Sequence, residues 1–292
     1  MSDTTKVRKK KRKHSTFIDV WRRLKKNKIA FISLFIILFI ILVAIFADVL
    51  APYPYDLQDY SASYAKPGME HLLGADKLGR DTLSRLIYGA RQSLQLGFIA
   101  IAISTVIGIL IGSIAGYYGG KVDLLIMRFL DIYQSIPMLL LCIVLSAMMG
   151  PSLQNAILAI GIAMIPLPAR MMRAAILTVR EQEYIEAAKA INTNSRSIII
   201  KHIIPNAVAP LIVSTTMSIG MNILAGAALS FIGLGVQPPV PEWGSLISEA
   251  RNVMREHSEL ALYPGLCIMI TVLAFNLLGD GLRDALDPRL KN

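Results

Sequence analysis

The residues best placed to do chemistry form a polar connector, residues 180–205, which reads REQEYIEAAKAINTNSRSIIIKHIIP. The connector lies between two long apolar segments. Within it, Glu186 is followed by Ala187 and Ala188, so one charge stands beside two small side chains that allow close packing against another surface. We interpret the connector as a docking surface for a cytoplasmic partner. A loop that only joins two membrane spans is the alternative.

The chain offers no catalytic constellation of its own. Its four histidines all fall outside the apolar segments, at His14, His71, His202 and His257. The nearest approach to a phosphate-binding loop, GYYGGKV at residues 116–122, lacks the first glycine at the required spacing and has valine where Ser or Thr must reach the metal. Cys142 and Cys267 lie in apolar segments without metal-ligand spacing. The sequence predicts no enzyme activity, metal site or cofactor in this chain.

The elements that must position the connector are membrane-spanning helices. Of the 292 residues, 54% are hydrophobic and only 17% are charged. A helix crosses the hydrocarbon core with about 20 mainly apolar residues. Six segments qualify: 29–50, 94–117, 125–149, 153–172, 207–234 and 260–278. We predict an all-α integral membrane protein with six transmembrane helices. The third segment is the weakest, because Arg128, Asp131 and Pro137 interrupt it.

Basic residues cluster before the first span. Twelve of the 30 Lys and Arg lie between Lys6 and Lys28. Such clusters bind anionic lipid and remain in the cytoplasm. We therefore place both termini in the cytoplasm and expect membrane lipid, not nucleic acid, as the partner of this segment. A signal peptide is the alternative for the first span, but the apolar run exceeds the roughly 7–15 residues usual in such peptides.

Small and polar residues inside the spans predict packing faces and a candidate path. Small residues recur every four positions in the second span, at Ser104, Gly108, Gly112 and Gly116. This spacing lets two helices approach closely. A similar row in the fifth span either packs against another span or lines a water-filled path; it comprises Ser214, Ser218, Asn222, Gly226 and Ser230. The path candidates are Ser218, Asn222, Ser230 and, in the last span, Asn276.

Two segments are expected outside the membrane. Residues 74–94 have the period of an amphipathic helix lying at the interface, with Asp81 as its cap and Arg80, Arg85 and Arg91 on its other faces. In the second segment, Trp243 is expected to lie at the interface. In the connector we predict a helix over 181–191, a turn over 192–195 and a second helix over 196–203, ended by Pro205.

The connector resembles a known family. EAA at residues 186–188, followed by IIP at residues 203–205, is similar to the EAA loop of permease subunits of binding-protein-dependent ABC importers. In that family the loop docks on a cytoplasmic ATPase. The resemblance implies these ATPase-coupling residues: Glu183, Tyr184, Glu186, Ala187, Ala188, Asn192, His202 and Pro205. Asn192 stands where the family usually has Gly. Asn tolerates the left-handed conformation that such a turn requires.

Three further blocks, 73–91, 229–244 and 276–291, resemble the oligopeptide, dipeptide and nickel permease subfamily, and within it the dipeptide-type C subunit. The resemblance implies the six-helix fold of type I ABC importer permeases. It also implies that this chain forms half of a translocation path for di- or oligopeptides. A nickel or metal-chelate importer is the alternative, followed by an ion-gradient-driven transporter.

The implied partners are a homologous permease forming a heterodimer, two ATPases that bind ATP and Mg²⁺, and an extracytoplasmic binding protein, all at a prokaryotic cell membrane. The expected division is a basic N-terminal segment at 1–28, a first span at 29–50 and an outer loop at 51–93. A permease core at 94–280 contains the coupling loop at 180–205, and a cytoplasmic tail follows at 281–292.

Overall fold

The computed structural model describes residues 16–286, which fold almost entirely into helices. The first half comprises α1 (Thr16–Lys26), α2 (Lys28–Ile45), α3 (Ala47–Leu50), α4 (Thr82–Tyr118), α5 (Gly120–Gln134), α6 (Met138–Met149) and α7 (Leu153–Ala163). The second half comprises α8 (Pro166–Arg180), α9 (Glu183–Ala190), α10 (Ser195–Ile198), α11 (Ile204–Ala207), α12 (Ala209–Phe231), α13 (Trp243–Ala250) and α14 (Glu259–Leu286). Residues 1–15, just over half of the basic segment, and residues 287–292, half of the tail, lie outside the described residues.

Five segments of the described chain are long and apolar enough to cross a membrane: Lys28–Ile45, Thr82–Tyr118, Leu153–Arg180, Ala209–Phe231 and Glu259–Leu286. They confirm five of the six predicted spans. The predicted third span, 125–149, is not one helix. It is the pair α5 and α6, bent by 83° at a short break. Pro137 supplies the physical reason, because it lacks an N–H and disfavours helical geometry in the residue before it.

The outer helix predicted over 74–94 differs from expectation. No separate interfacial helix forms, since α4 runs unbroken from Thr82 to Tyr118. Asp81 caps α4 as predicted, its carboxylate accepting from the Ser84 N–H at 2.7 Å. Arg80 and Arg85, however, are buried and not turned to water. The prediction was wrong for these two arginines because Glu249, from a distant part of the chain, pairs with both of them.

Those partners form a cluster that we call the outer charge cluster: Asp76, Arg80, Arg85 and Glu249. Arg85 donates to both carboxylate oxygens of Glu249, at 2.9 and 3.0 Å, and Arg80 donates to Glu249 at 2.6 Å. Asp76 accepts from both arginines. Burial alone would raise the pKa of Glu249, but the hydrogen bonds and charges of Arg85 and Arg80 outweigh it and hold this pKa below its ordinary value.

Helix α13 is buried under the same outer cap. Trp243, expected at the interface, is buried instead, and its indole Nε1 donates to the Leu86 carbonyl at 3.1 Å. Glu242 caps the helix by accepting from the N–H groups of Gly244 and Ser245. Its carboxylate also accepts from the Ser93 hydroxyl of α4 at 2.8 Å. The prediction for Trp243 was wrong because α13 packs against α4, α12 and α14.

The small residues of α4 form a packing face, as predicted. A Cβ on Gly108 would meet Pro168 at 2.6 Å, and one on Gly112 would meet the Ala169 carbonyl oxygen at 2.3 Å. A Cβ on Gly116 would fall within 2.9 Å of Ile176. Helix α8 therefore lies directly against the backbone of α4, and no larger residue fits at Gly112 without separating the two helices.

Candidate functional site

The connector folds into two helical arms joined by a turn. The first arm is α9, close to the helix predicted over 181–191. Asn192 then adopts a left-handed conformation with φ of 57°, which confirms the turn that glycine or asparagine favours. The second arm runs through α10, a π-helical turn over Ile199–Ile203, and α11. We call residues 183–203 the coupling segment.

The predicted end of the second arm at Pro205 is wrong, because helical structure continues to Ala207. The π-helical turn explains how a proline is accommodated. The Ile204 N–H bonds the Ile199 carbonyl, five residues earlier, so the backbone widens immediately before Pro205. A widened turn relieves the clash that a proline ring makes with the preceding turn of an α-helix.

Three buried isoleucines fix the coupling segment to the membrane helices. Ile185, Ile198 and Ile203 are all at most 1% exposed. They share one apolar cluster with Met172 and Ile176 of α8. Fully burying an isoleucine stabilises a fold by about 1.5–3 kcal/mol. Both arms are therefore held to the lower part of α8, and a force on the segment is passed to that helix.

Arg180 forms a second attachment that the sequence did not suggest. Its Nη1 donates to the carbonyls of Gly116 and Tyr117, at 3.1 and 3.3 Å, where α4 ends. These carbonyls are among the orphan acceptors at a helix C-terminus, where a cation is favourable. Arg173, two turns earlier, forms a two-point ion pair with Asp123 of α5. The lower ends of α4, α5 and α8 are thus joined directly before the segment begins.

The opposite side of the coupling segment is open. Glu183, Tyr184, Glu186 and Ala187 are exposed, and Asn192 and Pro205 are also exposed. His202 is half-buried, and the side chain of Ala188 lies outside those described. The structure therefore brings the predicted coupling residues onto one protrusion, although their roles stay predictions.

Two exposed isoleucines were missed by sequence reasoning. Ile191 is 79% exposed and Ile200 is 63% exposed, although both belong to a segment rich in buried isoleucine. These two side chains add apolar surface to the open side of the coupling segment. Helical periodicity could not separate Ile200 from Ile198 and Ile203, because the π-helical turn shifts the register of the second arm.

The path candidates lie elsewhere and are not brought together with the segment. Ser218, Asn222 and Ser230 are buried inside the chain. The Ser230 hydroxyl accepts from the Val236 N–H at 3.3 Å, a structural role at the end of α12. Asn276 is half-buried and lines a cavity of about 640 Å³ between α12, α13 and α14. Three members of the row on α12 are therefore buried within the chain, and the role of the row in a path stays a prediction.

Asn222 is the exception within that row, because neither polar atom of its amide has a hydrogen-bond partner in the part of the chain described. A buried amide without partners is costly. Its role in a path stays a prediction, which labelling of a cysteine at position 222 with a water-soluble reagent would test.

Two known protein families match this sequence. Residues 108–292 match the family model described as binding-protein-dependent transport system inner membrane component. Residues 15–67 match the N-terminal transmembrane domain of oligopeptide transport permease C. The chain belongs to this permease family. The family match covers the coupling segment and the last four predicted spans.

The similar curated proteins are permeases of nearly the same length. The dipeptide transport system permease protein DppC of Alkalihalophilus pseudofirmus is 46% identical over 278 residues, covering 95% of this chain and 91% of the relative. The glutathione transport system permease protein GsiD of Pectobacterium atrosepticum is 42% identical over 275 residues, with 94% and 91% covered.

Solved structures confirm the fold of this permease. It superposes on a chain of the inward-facing MetNI methionine ABC transporter with a TM-score of 0.58 and 19% identity, covering 70% of this chain and 97% of that one. An amino acid ABC transporter chain gives a TM-score of 0.53 at 17% identity, with 70% and 95% covered. The predicted type I importer fold is confirmed.

Proposed function

We propose that this permease is one half of the membrane path of an ATP-driven importer of di- and oligopeptides. Two permease relatives that cover nearly the whole chain are named for dipeptide and glutathione transport, which supports a peptide substrate. A homologous permease would complete the path as a heterodimer, and an extracytoplasmic binding protein would deliver the peptide.

The observation that carries the proposal is the coupling segment. It is fixed on one side by buried isoleucines and left open on the other, with acidic and apolar side chains exposed together. Exposed Ile191 and Ile200 add apolar area to this open side, which supports docking against another protein. We assign its open side to a cytoplasmic ATP-binding subunit, where ATP and Mg²⁺ would be held.

Basic residues beside the first span support one orientation of the chain in the membrane. Helix α1 carries Arg23, Lys25 and Lys26 in its last turn and leads directly into the first span. Basic residues next to a span stay on the cytoplasmic side and attract anionic lipid. We therefore propose that both termini and the coupling segment face the cytoplasm of a prokaryotic cell, with the outer charge cluster on the far side.

Coupling then follows from the packing. Closure of two ATP-binding subunits would displace the segment, and the buried isoleucines would transmit the displacement to α8. Since α8 lies against the backbone of α4, the two helices would move together. ATP and peptide influence each other only if they favour different conformations of this bundle.

A charge reversal tests the proposal. Glu186→Lys is expected to abolish recruitment of the ATP-binding subunit and peptide uptake while the permease still inserts into the membrane. Glu256→Lys is the matched control, since it makes the same change at an exposed glutamate in the outer region. Copurification of the ATP-binding subunit and uptake of labelled dipeptide are measured together, with a nickel chelate as a second cargo.

Wild-type copurification and uptake in Glu186→Lys would overturn the coupling role. Equal loss in Glu256→Lys would show that the effect is not specific to the segment. Uptake of the nickel chelate and not of the peptide would change the proposed substrate to a metal chelate, while the proposed coupling role would still hold.

A further inference from the structure

Two neighbouring spans are interrupted at one place in the membrane. The break between α5 and α6 falls at residues 135–137, and the break between α7 and α8 falls at residues 164–165. Both breaks border a single cavity of about 360 Å³. Its lining includes Tyr133, Gln134, Pro137, Met164 and Pro166. We call this space the break cavity.

One hydrogen bond ties the two breaks together. Pro166 has no N–H and cannot donate to the carbonyl of Ile162, four residues earlier. The Tyr133 hydroxyl of α5 donates to that carbonyl at 3.0 Å. The same carbonyl also accepts from the Ile165 N–H at 3.2 Å. The tyrosine bond therefore joins a side chain of one interrupted span to the backbone at the break of the other, so the breaks form one feature.

The break cavity lies within the membrane. A Cβ on Gly161 would meet Ile103, and one on Gly108 would meet Pro168, so the α7–α8 break is level with residues 103–108 of α4. Helix α12 runs antiparallel to α4, with Gly226 against Leu96 and Gly97 against Ile223. Continuing that register by one residue each places the break opposite about residues 212–217 of α12. These residues are inside an apolar span.

Gln134 lines the break cavity, and further polar groups lie next to it. Gln134 and Ser135 are exposed in this chain. Asp131, one helical turn before them, accepts from Arg170 of α8 at 2.8 Å, and both side chains of this pair are nearly half exposed. The Nε of Arg170 is buried without a hydrogen-bond partner among the described residues.

Lipid does not tolerate such a surface. Irregular backbone at membrane depth occurs only where protein buries it or where it lines a water-filled cavity. Exposed ionisable side chains face the interior of a bundle or a water-filled cavity for the same reason. The face that carries Asp131, Gln134 and Ser135 therefore turns away from lipid, although each span near it is otherwise apolar.

We propose that the break cavity is a subsite of the translocation path that takes the backbone of a transported peptide; this rests on the proposed function. The Gln134 carboxamide offers one donor pair and one acceptor, which matches a peptide group. The Asp131–Arg170 pair lies beside the cavity and outside its lining, and its two groups bond each other, so the Gln134 carboxamide is the group that the cavity itself offers to a peptide. The neighbouring permease packed over the same face is the competing occupant.

Cysteine labelling in the assembled importer tests the subsite. Gln134→Cys is made in a Cys142→Ala, Cys267→Ala background and treated with a membrane-impermeant charged thiol reagent, with and without ATP. We expect labelling of Gln134→Cys and its slowing by saturating dipeptide. The matched control is Phe35→Cys, an exposed position on the uninterrupted helix α2, which should stay unlabelled.

Three results would overturn the subsite. Gln134→Cys unlabelled in every nucleotide state would mean that protein covers the face. A crosslink from it to the neighbouring permease would identify that protein. Labelling that saturating dipeptide does not slow would show water access without peptide binding.

Transport provides a second readout. Gln134→Leu should lower dipeptide uptake by roughly two- to tenfold, the effect of one lost hydrogen bond, while ATP hydrolysis stimulated by the binding protein persists. Gln134→Asn, which keeps the carboxamide, should restore part of the uptake. Unchanged uptake in Gln134→Leu overturns the subsite alone. If the wild-type importer shows no ATP-driven peptide uptake, the proposed function fails instead.

Discussion

The outer charge cluster and the coupling segment use the same residue types in opposite ways. In the outer charge cluster, Arg80 and Arg85 are buried and donate hydrogen bonds to Asp76 and Glu249 of the same chain. In the coupling segment, Glu183 and Glu186 are exposed, and the fixed contacts are apolar. Paired buried charges thus fix the packing of the outer cap, while the charges of the coupling segment stay exposed.

Removing one buried cation should give the largest effect on stability. Arg85→Met leaves Glu249 and Asp76 partly uncompensated, which costs about 3–5 kcal/mol for a buried pair that loses one partner. Thermal unfolding of the purified permease in detergent measures the loss. Arg91→Met is the control, because its pair with Asp48 is more exposed and is worth about 1 kcal/mol or less. Equal effects of both variants would remove the distinction between the two regions.

Truncating a buried isoleucine of the coupling segment should have the second-largest effect on stability. Ile185→Ala leaves a cavity against α8 and is expected to cost about 2–5 kcal/mol locally. Hydrogen exchange over residues 183–203 should accelerate, while exchange in α13 stays as in the wild type. Ile191→Ala, at an exposed position of the same segment, should change exchange little but weaken binding of the ATP-binding subunit. Faster exchange in Ile191→Ala than in Ile185→Ala would contradict the assignment of inner and outer sides.

Acid should loosen the outer charge cluster. Since the pKa of Glu249 is lowered in the folded state, its contribution is present above the unfolded value near 4.5 and is lost as pH falls through the lower folded value. The melting temperature of the wild type should therefore drop more steeply below pH 5 than that of Glu249→Gln. Parallel curves for the two proteins would show that Glu249 does not titrate as described.

The smallest effect is expected at the turn of the coupling segment. Asn192 already holds a left-handed conformation, so Asn192→Gly should change stability by only about 0.5 kcal/mol and preserve uptake. Ala190→Gly, at the last residue of α9, should cost at most about 1 kcal/mol. The two glycine variants can be compared by hydrogen exchange of α9. A larger loss at position 192 would mean that the Asn side chain, not its backbone, holds the turn.

Local patterns predicted much of this molecule. The length of the apolar segments predicted five of the spans. The four-residue spacing of Gly108 and Gly112 predicted a packing face, and Asp81 was predicted to cap a helix. These features depend on residues within a few turns of each other, or on properties that a single helix displays by itself.

Features that depend on distant residues escaped prediction. Arg85 reads as a surface residue until Glu249, 164 positions away, is placed beside it. Trp243 reads as an interfacial residue until α13 is seen packed against α4. Pro137 signals a break in the third span, but the 83° bend and the matching break before Pro166 appear only when the spans are assembled.

The length of α4 has a mechanical consequence. Its 37 residues extend about 55 Å, nearly twice the roughly 30 Å of the hydrocarbon core. One end is held in the outer charge cluster and the other lies under Arg180, beside the coupling segment. Rocking this rod by about 10° around its midpoint would carry each tip about 5 Å in opposite directions. Events at either face of the membrane would thus be felt at the other without any relay of small rearrangements.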